Sequence, residues 1–295
     1  MQPLFEHRLR IDDVDTRVLE LEGDGPTLLL LHGWGDSADT WRPLLDRLGR
    51  AGRSAIAVDM PGYGTATPFG PGALLPQLDA FAGTLVERIV AESGDEVVVA
   101  GNSLGGVVAL RLAERADLPL AGVVPIAPAG LDMPRWFEIV DRDPVVRTLL
   151  SLPVPIPRAV LQRGVGEVYR RLAFSRPGLA DPRLVGMFAA HHADRRSVLR
   201  LLDSGRRLLP ELTTSPFDFT RVKVPVLLVW GTLDRMVSHR GVEKVLSGIP
   251  DTQVELFEGV GHCPQLEAPD RLAGLLLEFP VPQGSSATEP ARSTA

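Results

Sequence analysis

Apolar and polar positions follow two rhythms along this chain of 295 residues, and their order predicts the architecture. Phe5 to Ile11 and Val14 to Leu21 alternate loosely, with Asp12 and Asp13 between them, which predicts an antiparallel hairpin. Thr27 to Leu31 is a continuous apolar run, as expected of a strand buried on both faces. From Asp39 to Arg50 the apolar residues Trp41, Leu44, Leu45 and Leu48 recur at helical spacing. Ser54 to Val58 reads as a strand and Leu74 to Ala91 as a helix whose inner face is Leu78, Phe81, Leu85, Ile89 and Val90. Val97 to Ala100 is predicted as strand, Leu104 to Arg115 as helix and Gly122 to Ala127 as strand. The same rhythm resumes late, with strands at Val226 to Trp230 and Gln253 to Phe257 and helices at His239 to Leu246 and Pro269 to Glu278. Strand, turn, helix, strand in repetition means parallel strands joined by right-handed crossovers, an α/β fold with helices on both faces of the sheet.

Between Pro128 and Val224 that rhythm breaks. Leu152 to Pro157 reads LPVPIP, whose prolines exclude regular helix and central strand. Helical spacing surrounds it at Val165 to Phe174, Pro182 to His192 and Arg195 to Leu209. The organisation expected is an α/β core over residues 1–130 and 216–279, with a helical lid inserted at 131–215. Residues 280–295 are rich in Pro, Ser and Ala and poor in large apolar side chains, which predicts a disordered tail.

Composition narrows the classes. Apolar residues make up 44% of the chain and charged residues 23%, enough for a large core. The net charge of −6, with the arginines dispersed, argues against an electrostatic nucleic-acid binder. Cys263 is the single cysteine, so no intrachain disulfide forms. Neither a signal peptide nor a transmembrane run of about 18 apolar residues is visible, and a cytoplasmic enzyme is the default expectation.

Candidate chemistry gathers in four loops that come after strands. Gly101-Asn102-Ser103-Leu104-Gly105-Gly106 stands between the run EVVVA and the helix VVALRLAER, the strand–turn–helix setting that G-x-S-x-G requires. Gly101 and Gly105, two residues to either side of Ser103, admit a tight turn that sets the serine at the carboxyl end of the sheet, with the positive end of a helix behind it. Leu30-Leu31-His32-Gly33-Trp34-Gly35 succeeds the run TLLLL and can present a main-chain donor. An oxyanion hole needs two donors, and the N–H groups of Trp34 and Leu104 are assigned to it. Loops containing Asp234 and His262 succeed the other two strands. A serine hydroxyl needs an imidazole to take its proton, and the imidazole needs a carboxylate to fix its tautomer. Ser103, Asp234 and His262 fill these roles. Asp132 and Asp59 are the other candidates for the acid. His32 is read as a structural histidine, while His7, His191, His192 and His239 compete less well for the base. Cys263 reads as a small packing residue.

Taken together, HGWG, Asp59-Met60-Pro61-Gly62-Tyr63-Gly64, GNSLGG, GTLDRMV and GVGHCPQLEAP resemble the α/β-hydrolase superfamily over roughly Leu4 to Phe279. The resemblance implies a mostly parallel eight-stranded sheet with a helical cap, and a catalytic triad matching Ser103, Asp234 and His262. Haloalkane dehalogenases and epoxide hydrolases of the superfamily carry Asp where this chain has Ser103, so acyl transfer at a carbonyl is expected instead. GNSLGG is similar to serine hydrolases that cleave vinylogous diketones. Those enzymes usually carry Trp after the histidine, where this chain has Cys263, and a proline in the oxyanion loop, where this chain reads HGWGDS. Arg183 or Arg195 is the candidate to bind a substrate carboxylate in such a reaction.

The function expected is hydrolysis of a carboxylic ester of a small to medium apolar substrate through an acyl-enzyme. Carbon–carbon hydrolysis ranks second, beside a cofactor-free haloperoxidase-like activity and, from another class, a non-catalytic ligand-binding protein. No cofactor or metal is expected, and no nucleic acid. Trp136, Phe137, Leu149, Leu150, Phe174, Met187 and Phe188 give the predicted lid an apolar character that suits an apolar substrate.

Overall fold

The computed structural model describes residues 2–132, 156–214 and 216–279. Eight strands form one sheet: β1 (Leu4–Ile11), β2 (Val14–Leu21), β3 (Asp24–Leu31), β4 (Arg53–Val58), β5 (Val97–Asn102), β6 (Leu120–Ile126), β7 (Leu227–Gly231) and β8 (Gln253–Phe257). Their spatial order is β1-β2-β4-β3-β5-β6-β7-β8. The β1–β2 hairpin and the β2–β4 pair are antiparallel, and the other pairs are parallel. Parallel strands share one carboxyl edge, which brings the loops after β3, β5, β7 and β8 to the same side.

The central strands are buried on both faces, as their unbroken apolar runs require. Leu29, Leu31, Val97 and Val99 enter one core cluster, while Leu28, Leu30, Val98 and Ala100 enter the other. The crossover helices α1 (Arg42–Arg50), α2 (Leu75–Ser93) and α3 (Leu104–Ala113) cover the sheet, with α4 (Arg158–Ala173), α5 (Pro182–Ala190) and α6 (Arg195–Thr213) inserted between β6 and β7. After β7 come α7 (Gly241–Gly248), the short α8 (Pro264–Glu267) and α9 (Pro269–Glu278).

Several element boundaries differ from the periodicity; α4, expected from Val165, already begins at Arg158, and β3, expected from Thr27, at Asp24. The helix expected from Asp39 divides into a 3₁₀ turn, Ala38–Trp41, and α1, with Pro43 in its first turn. Ser37 caps the 3₁₀ turn by accepting from the Asp39 N–H. The helix expected to stop at Leu209 runs through Pro210 to Thr213. Its apolar face carries past the proline, because Leu208 and Leu212 are both buried in the main core. Glu211, just beyond Pro210, accepts from the N–H groups of Leu74 and Leu75 at 2.8 and 2.9 Å. The insertion thus caps the start of α2, which has no side-chain cap of its own. Trp136, Phe137, Leu149, Leu150 and most of LPVPIP lie outside the described residues, as does the tail predicted to be disordered.

A charged cluster ties the antiparallel edge to the loop after β3. Arg17 on β2 donates from Nε to Asp59 at 3.1 Å and from Nη2 to Asp39 at 2.7 Å. Asp59 is fully buried and also accepts from the N–H groups of Ala38 and Thr65. Burial alone would raise its pKa; Arg17 and these amides hold it below the ordinary aspartate value.

Candidate active site

Ser103 occupies the turn between β5 and α3 with φ 54° and ψ −109°, a left-handed conformation that a side chain adopts only under strain. Its glycine neighbours make the turn possible. A Cβ on Gly101 would lie 2.1 Å from the Gly105 carbonyl oxygen, and one on Gly105 would lie 2.1 Å from that of Leu31. Main-chain bonds pin the turn: Ser103 N–H donates to Ile126 O at 2.8 Å and Gly105 N–H to His32 O at 3.1 Å. Leu104 is the first residue of α3, so no carbonyl of its own helix can accept its N–H.

His262 is buried after β8, and its Nδ1 lies 2.7 Å from Asp234 Oδ2. A carboxylate accepts only, so Nδ1 carries the hydrogen and Nε2 is left as the basic nitrogen. Nε2 is buried and has no hydrogen-bond partner among the described residues. Asp234 is itself held on both oxygens. Oδ1 accepts from the N–H groups of Met236 and Val237 at 2.7 and 3.0 Å, and Oδ2 accepts from Trp230 Nε1 at 3.1 Å. The two loops interlock through glycine, since a Cβ on Gly231 would meet the Gly261 carbonyl oxygen at 2.1 Å.

Neither alternative acid reaches His262. Asp59 is committed to Arg17 and its amides, and the His262 Nδ1 that Asp132 would need is taken by Asp234. His32 is structural in its contacts. Nε2 accepts from the Met60 N–H at 2.8 Å, so Nδ1 carries the hydrogen that goes to Gly33 O at 2.8 Å. Burial pushes its pKa down to about 4. Cys263 packs beside Tyr169 and Leu266, and burial pushes its thiol well above the ordinary range, so it is not an activated nucleophile.

Ser103, His262, Gly33 and Trp34 open onto a cavity of about 600 Å³. Val160, Leu161, Val165, Val168 and Leu172 of α4 form much of its wall, with Val198, Leu201 and Leu202 of α6. Of the aromatic and sulfur side chains expected to give the insertion its apolar character, Phe188 lines the cavity, whereas Phe174 packs between insertion and core. Neither Arg183 nor Arg195 is among the lining residues; Arg206 is.

A family model described as the alpha/beta hydrolase family matches residues 28–275, which includes all four loops of the site. The chain belongs to the alpha/beta hydrolase family. It is 27% identical over 269 residues to a pimeloyl-[acyl-carrier protein] methyl ester esterase of Yersinia pseudotuberculosis, covering 88% of this chain and 94% of that one. Among solved structures, the naproxen esterase of Bacillus subtilis superposes with a TM-score of 0.71 at 20% identity, covering 94% of this chain and 92% of its own. A 2-hydroxy-6-oxo-6-phenylhexa-2,4-dienoate hydrolase from Rhodococcus superposes with a TM-score of 0.72 at 20% identity, covering 94% of this chain and 99% of its own. At such identities these two structures speak for the fold.

Sequence reasoning missed several side chains that hold this alpha/beta hydrolase site together. Asn102 donates from Nδ2 to His262 O at 3.0 Å, and its Oδ1 accepts from Gln265 Nε2 at 3.1 Å. Glu267 Oε1 accepts from Gly261 N–H at 2.7 Å, and its Oε2 from the Ser175 hydroxyl at 2.6 Å. Gln265 and Glu267 stand within GVGHCPQLEAP, but the partners Thr40, Asn102 and Ser175 are far along the chain and no local signal names them. Asp36 was also missed. It is buried on the cavity wall, accepts from Ser37 N–H at 2.9 Å and from the Tyr169 hydroxyl at 3.4 Å, and burial raises its pKa to about 6.

Proposed function

We propose that this hydrolase cleaves a carboxylic ester of a small to medium apolar substrate through an acyl-enzyme on Ser103. The observation that carries the reading is the 2.7 Å pair of Asp234 and His262, which leaves Nε2 basic beside the cavity onto which the strained Ser103 opens. His262 Nε2 takes the Ser103 proton as Oγ attacks the carbonyl carbon. The Trp34 and Leu104 N–H groups receive the negative charge of the tetrahedral intermediate; loss of one such donor costs about 3–4 kcal/mol in the barrier. His262 then returns the proton to the departing alkoxide. A water molecule deprotonated by the same nitrogen attacks the acyl-enzyme and frees the acid. The catalytic groups in every step are side-chain and main-chain groups of this chain.

The aliphatic wall from α4 and α6 favours an apolar acyl or alcohol portion. The similarity to an esterase over most of both chains supports ester chemistry as well. Residues 131–215 act in this reading as the lid that shapes the substrate pocket. The test is hydrolysis of p-nitrophenyl esters from acetate to laurate by the wild type and Ser103→Ala. Turnover that disappears in the variant is the expected result, and the preferred chain length measures the pocket. A folded wild type that turns over none of them overturns the ester reading and directs attention to vinylogous diketones, peroxide chemistry or ligand binding.

A further inference from the structure

Charge is segregated along this chain in a way that its overall balance hides. Residues 156–214 contain eleven arginines, no lysine and five acidic side chains, a net charge of +6. The whole chain carries −6, so the remainder carries −12. Part of the arginine is used internally: Arg170 and Arg171 pair with Glu167, and Arg207 donates to the carbonyls of Gly70 and Gly72. Arg158, Arg163, Arg176, Arg183, Arg196 and Arg200 are exposed and make no ion pair with a described residue.

The same segment holds the most exposed large aliphatic side chains among the described residues. These are Leu179 at 77%, Val160 at 59% and Val168 at 58%. Val160 and Val168 also line the cavity, so its aliphatic wall continues onto the surface along α4. Arg163 and Arg171 stand three residues beyond these valines and therefore share their side of the helix. Exposed apolar groups bordered by arginine suit an interface between hydrocarbon and anionic headgroups.

We infer that the inserted helices dock this hydrolase on an anionic lipid surface, with the Val160–Val168 edge of α4 turned toward the bilayer. The arginines meet phosphate-bearing headgroups, and the acidic core is repelled from the same surface, which orients the chain with its insertion foremost. An apolar ester dissolved in the lipid then enters the cavity along a continuous aliphatic wall. An acidic carrier protein satisfies the charge equally well, but a carrier delivers its cargo on a polar tether. The outer part of the α4 wall, Val160, Leu161, Gly164, Val165 and Val168, offers such a tether no hydrogen-bonding side chain, and the Tyr169 hydroxyl further in is taken by Asp36. The inference extends the ester-hydrolase reading, yet its test needs no turnover, so either can fail alone.

The experiment is co-sedimentation of the full chain with vesicles of phosphatidylcholine alone and of phosphatidylcholine containing about one-third phosphatidylglycerol. Binding is expected only to the anionic vesicles, weakening as salt rises. Arg158→Gln with Arg163→Gln and Arg200→Gln should lower the partition coefficient by about fivefold per charge, while hydrolysis of a dispersed short ester stays unchanged. Val160→Ser with Val168→Ser should remove the binding that survives at high salt. Equal partition to both vesicle types, or anionic binding untouched by the arginine changes, would overturn the inference. So would binding to soluble polyglutamate that matches the vesicles and ignores the valine changes, which would point to an acidic protein. Self-association that consumes the same arginines would identify a second copy as the occupant instead.

Discussion

Asp234→Asn separates the orienting role of the carboxylate from its place in the fold. The carboxylate accepts on all sides: two backbone N–H groups on Oδ1, and Trp230 Nε1 and His262 Nδ1 on Oδ2. An asparagine keeps the two backbone bonds by placing its oxygen at Oδ1. Its NH₂ then occupies the Oδ2 position and faces His262 as a donor. His262 must offer Nδ1 as an acceptor and move its hydrogen to Nε2, where it can no longer take the Ser103 proton. Trp230 loses little, because its Nε1–H also reaches Val237 O at 3.2 Å. The expected loss of stability is about 1–2 kcal/mol. A wrong-tautomer imidazole costs about 10⁴-fold in kcat, equivalent to roughly 5.5 kcal/mol in the barrier. The assay is kcat on p-nitrophenyl butyrate with Tm measured in parallel, and Asp132→Asn as the comparison. A folded Asp234→Asn variant within about tenfold of the wild type, or a larger fall in Asp132→Asn, would refute the assignment.

Gly105→Ala would press a methyl group against the Leu31 and His32 carbonyls, at 2.1 and 2.8 Å, neither of which can rotate away. It should cost about 3 kcal/mol or more and lower Tm and kcat together; a Tm within about 2 °C of the wild type would contradict that packing. Arg17→Leu leaves Asp59 charged and fully buried without its guanidinium, with an expected loss of about 3–5 kcal/mol and a fall in Tm of order 5–10 °C by calorimetry. Stability should also fall in acid. His32 and His192 are held neutral, with pKa values lowered to about 4 by burial, whereas the unfolded chain protonates them below the ordinary value of 6.5. The unfolded state then binds more protons, so each histidine's contribution is complete above that value and is lost on the way down through pH 4, by about 2 kcal/mol each between pH 7 and 5. Asp36 works in the opposite direction, because its carboxyl takes a proton in the folded state near pH 6 before the unfolded chain does, returning about 1 kcal/mol over the same interval. Urea unfolding of His192→Gln at pH 7 and 5 should show a shallower loss than the wild type, and an identical loss would count against the buried neutral imidazole.

The parallel sheet was legible because its central strands are unbroken apolar runs that end in chemistry-bearing loops. Leu28 to Leu31 and Val97 to Ala100 announce burial on both faces, and the loop after each run stands at the carboxyl edge by topology alone. The positions of Ser103, Asp234 and His262 were therefore readable, as was the structural part played by His32. The support behind them was not. Gln265 reaches Thr40 and Asn102, which are 225 and 163 residues away, and no local pattern encodes such pairings. Pro210 misled for a local reason. A proline usually ends a helix, but burial of Leu208 and Leu212 and the bonds from Glu211 to the start of α2 outweigh one missing main-chain bond. Asp36 was hidden because it is a polar residue in a glycine-rich loop, and only packing by Tyr169 places it in an apolar wall.

The inserted helices do more than shape a pocket, because three of the four loops lean on them; in the loop after β7, Arg235 donates to Arg171 O and Ser175 O, each at 3.3 Å. The loop after β3 receives His192 Nε2, which donates to Gly35 O at 2.8 Å, and the Tyr169 hydroxyl, which donates to Asp36. Trp34 Nε1 in turn donates to the Ser204 hydroxyl at 3.0 Å. The loop after β8 is tied through His262 N–H to Ala173 O at 2.9 Å and through Glu267 to Ser175. Those loops carry the residue assigned as an oxyanion donor and the residue assigned as the base. Cutting away the insertion would therefore release the groups on which the proposed chemistry depends, and it would expose apolar surface at Cys263 and Leu266. In the proposed mechanism the core carries the reacting groups, and the insertion, besides lining the cavity, holds three of their loops in position.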